Sequence, residues 1–187
     1  MLKTFSDDFG LVGGTALALQ IGHRRSIDFD LFTDKIFDPD KIRNKIRKAF
    51  EIQSTIVETP EELTIVVSDV KLTFLTYPFE INYSEILEGV IKMPNVLALS
   101  AMKAFALGKR AKWKDYVDLF FILKHYNLKD ITTTAKEIFG GEFNEKLLRE
   151  QLSYYQDIDY SETIDYIGNN TVSDAEIKLF LSNISLH

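Results

Sequence analysis

Apolar and polar positions alternate along the first third of the chain in short, punctuated runs. Phe9 to Gly14 (FGLVGG) is an apolar run ended by two glycines, the pattern of a strand entering a tight turn. The following TALALQIG sets Leu17, Ile21 and the alanines at helical spacing, with Thr15 as N-cap and Gly22 as stop. After the loop HRRS, IDFDLF alternates Ile27, Phe29 and Leu31 with Asp28 and Asp30, which predicts a strand with one buried face. DPDKIRNKIRKAF has Pro39 near a helix start and Ile42, Ile46, Ala49 and Phe50 on one helical stripe, an amphipathic helix for a sheet to receive. EIQSTIVE, ELTIVVS after Pro60, and VKLTFLTY up to Pro78 predict antiparallel strands joined by short turns.

From Pro94 the period changes to helical. NVLALSAMKAFALGKR and KDYVDLFFILKHY are joined through a basic connector near Trp113, and TTTAKEIF, EFNEKLLREQLSYY, SETIDYIG and SDAEIKLFLSNIS continue as broken helices. The expected class is α+β: a small mixed sheet with flanking helices, followed by a C-terminal helical bundle. The boundary falls between Tyr77 and Pro94, giving domains at 1–90 and 91–187. With 187 residues, the chain can bury a real core.

The absence of cysteine excludes disulfides, thiolate metal sites and a cysteine nucleophile. His23, His125 and His187 are too scattered to suggest a metal cluster. No apolar run is long enough to span a bilayer and the N-terminus lacks signal-peptide character, so no membrane partner and a cytoplasmic location are expected. The net charge of −6 lies in the tail: from Lys129 onward there are five basic and eleven acidic residues. The first 128 residues carry 17 of each sign. Their positive charge is clumped at His23–Arg25, Lys41–Lys48 and Lys109–Lys114, which leaves room for a basic surface facing a phosphate-bearing partner.

Asp28 and Asp30, at i and i+2 on a strand, project from one face and repel unless a cation joins them. A hard divalent ion, with Mg²⁺ the best match, suits such a pair; a polar face of an edge strand explains the same pattern more blandly. Gly13 and Gly14 between strand and helix let the backbone approach an anion at the helix start, with Thr15 offering a hydroxyl. Arg24 and Arg25 lie in the loop leading back to the aspartates. Lys103 is a lone cation on an apolar helix, which demands an anion, either a substrate phosphate or Asp115 or Asp118 on the next helix.

In this order GGTALALQIGHRRSIDFDLF resembles the first motif of the AbiEii/AbiGii toxin family of nucleotidyltransferases. KLTFLTYPF (Lys71 to Phe79) is similar to the family's second strand motif, and MKAFALGKRAKWKDYVDLFFIL (Met102 to Leu123) to its Lys-containing helix and Asp-x-x-Asp helix. The resemblance implies a nucleotidyltransferase-like fold and Mg²⁺-dependent transfer of a nucleoside monophosphate from a nucleoside triphosphate (NTP). The implied acceptor is a tRNA 3′ end or other RNA, and the implied partner a cognate antitoxin. Carried over, Gly13, Gly14, Thr15, Arg24, Arg25 and Ser26 bind the triphosphate, Asp28 and Asp30 ligate one or two Mg²⁺ ions, and Lys103, Asp115 and Asp118 complete the catalytic set. One departure is Thr73, where some relatives carry an acidic residue. Two other functions stay open: a non-catalytic nucleotide-binding or regulatory module, and an antibiotic-type nucleotidyltransferase acting on a small molecule.

Overall fold

The computed structural model describes residues 1–186, so His187 lies outside the described residues. The chain forms two units, one of Met1–Ala16 with Ser26–Asn95 and the other of Leu17–Arg25 with Val96–His187. Each is therefore discontinuous in sequence.

In the first unit β1 (Gly10–Val12) leads directly into α1 (Gly13–Ile21), and β2 (Phe29–Thr33) precedes α2 (Pro39–Arg47). β3 (Ile52–Glu58), β4 (Glu62–Val67) and β5 (Val70–Thr76) follow as the expected antiparallel series. The five-stranded sheet has the order β1-β2-β5-β4-β3. β2 pairs parallel with β5, and its other edge antiparallel with β1. This register sets Leu31 level with Phe74 and Phe74 level with Leu63, while Leu72 sits between Phe29 and Ile65. Leu31, Leu63, Ile65, Leu72 and Phe74 are fully buried. Phe5 and Phe9 meet Phe74 edge-on, with ring centroids 5.0 and 5.3 Å away.

Helix α2 begins at Pro39 because Asp38 caps it, accepting from the backbone N–H groups of Asp40 and Lys41. Ile42 and Ile46 are buried as expected, but Ala49 and Phe50 are not. The helix ends at Arg47, and the chain must turn outward to start β3, leaving Phe50 40% exposed. Ile27 likewise departs from the expected buried face: ladder pairing begins only at Phe29, and Ile27 is 66% exposed. A short hairpin, β6 (Glu85–Leu87) with β7 (Ile91–Met93), has no counterpart in the sequence pattern. Its turn sets both Glu88 and Gly89 at positive φ, a conformation that glutamate does not advertise.

The second unit holds α3 (Val96–Leu107), α4 (Trp113–Leu123), α5 (Leu128–Phe139), α6 (Glu145–Ser153) and α7 (Asp174–Ser185). Asn127, Asn144 and Ser173 cap the last three through side-chain oxygens. Phe105 stacks on Phe139 at 4.1 Å, and Tyr116 and Phe120 are fully buried. The expected helix over SETIDYIG does not form. Its backbone is committed elsewhere: Arg25 N–H donates to the Asp165 carbonyl at 2.7 Å, and Ile167 N–H to the His23 carbonyl at 3.2 Å. Among the described residues no helix is long and apolar enough to cross a membrane.

Gly10 on the sheet edge lies beneath the Tyr83 ring, where an added Cβ would stand 2.0 Å from Tyr83 Cε1. Gly10→Ala is therefore expected to cost about 1–3 kcal/mol through overpacking, read as a lower urea midpoint. An unchanged midpoint would show that the ring does not need this glycine.

Candidate active site

On the face of the sheet opposite Leu31, two carboxylates stand two residues apart. Asp30 lies within β2, level with Thr73 of β5, and Thr73 is level with Thr64 of β4. Asp28 precedes the strand, and its Oδ2 is 2.8 Å from the ammonium of Lys71. Gly13 has φ +71°, and a Cβ there would fall 2.2 Å from Asp30 Oδ2. The residue is thus glycine for two reasons, a left-handed backbone and a carboxylate resting against it.

Thr15 takes a different place from the one its sequence suggests. Helix α1 already begins at Gly13, so Thr15 lies inside its first turn rather than at the N-cap. Its buried hydroxyl donates to the Asp28 carbonyl and lies 2.9 Å from the Ser26 hydroxyl. The first turn of α1 is in this way tied to the segment that delivers Asp28. Gly13, Gly14, Thr15, Ser26, Asp28 and Asp30 accordingly gather in the first unit.

Arg24, Lys103, Asp115 and Asp118 gather separately, in the second unit, with His23 as an unexpected fifth member. Lys103 bonds Asp115 at 2.6 Å and Asp118 at 2.7 Å, so of the partners left open by the sequence the structure supplies both aspartates. Arg24 grips Asp118 with Nε at 2.7 Å and Nη2 at 3.0 Å, and His23 Nε2 lies 2.7 Å from the same carboxylate. All five side chains are buried. Burial pushes the Asp118 carboxyl up, but the charges of Lys103 and Arg24 and the hydrogen bonds from His23 and Arg24 outweigh it and hold the group well below the usual carboxylate range. Burial likewise pulls Lys103 down, and the two aspartates more than reverse it. His23 Nδ1 and Asp115 Oδ2 are buried without a hydrogen-bond partner.

Around Lys112, Lys114 and Arg25 the positive charge is less available than the sequence suggests, because the acidic tail answers it. Glu162 accepts from both Lys112, at 2.7 Å, and Lys114. Burial raises the Glu162 carboxyl, and the two lysines outweigh it and bring it down to about 2. Arg25 is mostly exposed, with Nε 3.7 Å from Asp165. Two members of these clusters escaped the sequence reading. Lys71 sits in a motif whose register against Asp28 only the parallel pairing reveals, and His23 looks like part of a solvated basic loop.

Removing the charge of Asp118 would strand buried cations, so Asp118→Asn is expected to lose about 3–5 kcal/mol at pH 7 in urea unfolding. Because its folded value is depressed, the stability from Asp118 is present above its unfolded value of about 3.9 and lost as pH falls through the folded value. Titrated from pH 5 to 2, the wild type should lose stability that the variant has already lost. Parallel curves would sink this assignment.

The folded chain resembles JHP933 from Helicobacter pylori, with a TM-score of 0.60 and 19% identity over 99% of this chain and 85% of that one. MenT4, a nucleotidyltransferase toxin from Mycobacterium tuberculosis H37Rv, gives a TM-score of 0.60 and 13% identity over 96% of this chain and 75% of that one. At such identities the likeness establishes the nucleotidyltransferase fold. In sequence, the chain is 30% identical to an uncharacterised protein of Aquifex aeolicus (strain VF5) over 157 residues, 81% of this chain and 75% of the relative. The family described as "Nucleotidyl transferase AbiEii toxin, Type IV TA system" matches residues 1–180. Nearly the whole chain is spanned, and it belongs to the AbiEii nucleotidyltransferase toxin family, with nucleotidyl transfer as its class of reaction.

Proposed function

We propose that this enzyme moves a nucleoside monophosphate from an NTP to an acceptor hydroxyl, with Asp28 and Asp30 holding Mg²⁺ and the turn at Gly13 receiving the phosphates. The observation that carries the reading is the Asp30 carboxylate resting against the Gly13 backbone at the first turn of α1, with Asp28 two residues away. The donor set fits the ion, since both groups are hard carboxylates on one face and one already attracts an ammonium. Bound there, Mg²⁺ would neutralise charge on the phosphate oxygens.

The chain's own residues do the rest. Gly13 and Gly14 let a phosphate approach the first-turn N–H groups of α1, which a helix cannot satisfy internally. Thr15 and Ser26 hold the backbone that delivers Asp28. Arg24, Lys103, Asp115 and Asp118 act as positioning residues that hold His23–Arg24, the segment just before Ser26, in one conformation. As the acceptor oxygen bonds to the α-phosphorus, the bond to the bridging oxygen breaks, pyrophosphate leaves and the hydroxyl proton is released.

The proposed acceptor, as the sequence resemblance implies, is RNA such as a tRNA 3′ end, and the place of action the cytoplasm, where NTP and tRNA are found; a cognate antitoxin as partner follows from the toxin-antitoxin family. A smaller hydroxyl acceptor is the second reading, favoured by the neutralisation of Lys112 and Lys114 by Glu162.

Incubation with each α-³²P-labelled NTP, Mg²⁺ and total tRNA or a panel of small hydroxyl compounds separates these. Asp28→Asn/Asp30→Asn should lower transfer by more than about a hundredfold with unchanged circular dichroism. Label transfer that survives in the double variant would remove both aspartates from the site. Gly13→Ala, which pushes a methyl group into Asp30, should lower transfer by about a hundredfold while costing on the order of 1–3 kcal/mol in stability. Full activity in that variant would show that the contact between Gly13 and Asp30 is dispensable.

A further inference from the structure

Asp28 already has a cation. The Lys71 ammonium stands 2.8 Å from its Oδ2, with the side chains 36% and 28% exposed, so solvent ions can reach the pair. Phe29 lies level with Leu72 in the parallel ladder, and the residues one step earlier, Lys71 and Asp28, meet where that ladder begins. One step further on, the same register sets Thr73, a neutral side chain, level with Asp30. The aspartate pair and Lys71 together carry a formal charge of −1, by counting two carboxylates and one ammonium. Among the described residues, no three His, Cys, Asp or Glu side chains lie grouped to hold a metal. Without a nucleotide to add phosphate oxygens, the two carboxylates offer ligands for one divalent ion, the rest of whose shell water fills.

We infer that Lys71 competes with a divalent ion for Asp28, and that in the absence of nucleotide the aspartate pair takes a single such ion. The arrival of that ion at Asp28 displaces the ammonium toward the anionic triphosphate. This rests on the reading of the pair as a metal and nucleotide site. Lys71 then has opposite effects on the two ligands. It competes with the metal while the nucleotide is absent, and it attracts the phosphates once the metal is in place. Arginine, carrying the same charge, can substitute; methionine, of similar length without charge, cannot.

Mn²⁺ serves as the probe, with the free ion counted by electron paramagnetic resonance in the absence of nucleotide. Wild type should bind one Mn²⁺ per chain, Lys71→Met should bind it about tenfold more tightly, and Lys71→Arg should stay within about threefold of wild type. In equilibrium dialysis at saturating Mg²⁺, Lys71→Met should hold a non-hydrolysable triphosphate analogue about tenfold more weakly than wild type. Two Mn²⁺ in the wild type, or a Lys71→Met variant that moves neither affinity, would overturn the role of Lys71. If Asp28→Asn/Asp30→Asn abolishes Mn²⁺ binding while Lys71→Met changes nothing, the aspartate site stands and only Lys71 falls. If the double variant binds Mn²⁺ as wild type does, or no form binds it, the metal reading falls as well.

Discussion

Parallel pairing between β2 and β5 is the constraint from which both the core and the candidate site of the first unit follow. The register that buries Leu31 against Phe74 also decides what stands on the reverse face: Asp30 level with Thr73, and Asp28 beside Lys71. Side chains alternate with period two, so a slip of one residue would bury the aspartates and expose the leucines. The large apolar cost of such a slip protects a polar arrangement that gains little stability on its own. Packing on one face thus guards chemistry on the other.

The second unit solves a different problem, the burial of charge. Asp118 has no exposed surface and is reached by Lys103, Arg24 and His23. Taking these groups out of water is costly, and the network repays that cost only because each carboxylate oxygen of Asp118 meets more than one donor. Such an assembly tolerates the loss of no single member. It specifies one arrangement of the chain around His23 and Arg24, whereas the Glu162 bridge to Lys112 and Lys114 is more exposed and contributes mainly local order.

Much of this was legible in the sequence, where local pattern and tertiary demand agreed. The alternation of Phe29 and Leu31 with Asp30, and the apolar stripe of Ile42 and Ile46, each announced their element, whereas Gly13 and Gly14, expected as a turn, are the first residues of α1. Three kinds of information were not local. Parallel register, which brings Lys71 to Asp28, depends on residues more than forty positions apart. A cap-like residue such as Thr15 reads the same whether it starts a helix or bonds outward from its first turn. The periodicity of SETIDYIG favours a helix, but backbone partners at His23 and Arg25 claim that segment first. Lys103 shows where sequence reasoning is strongest: a charge on an apolar helix demands an anion, and the structure provides two.

The division of the chain inside α1 has a consequence for modularity. Leu17–Arg25 belongs with the helices after Val96, although it is enclosed in sequence by the sheet unit. A chain cut at Asn95 would keep His23 and Arg24 but lose Asp118, leaving two buried groups without their shared acceptor. The sheet and the helices are thus interleaved by one short excursion of the backbone. Neither can be inherited, exchanged or trimmed as a separate cassette, because the last turn of α1 and the basic loop after it are carried within the sequence of the sheet unit yet belong to the helical one.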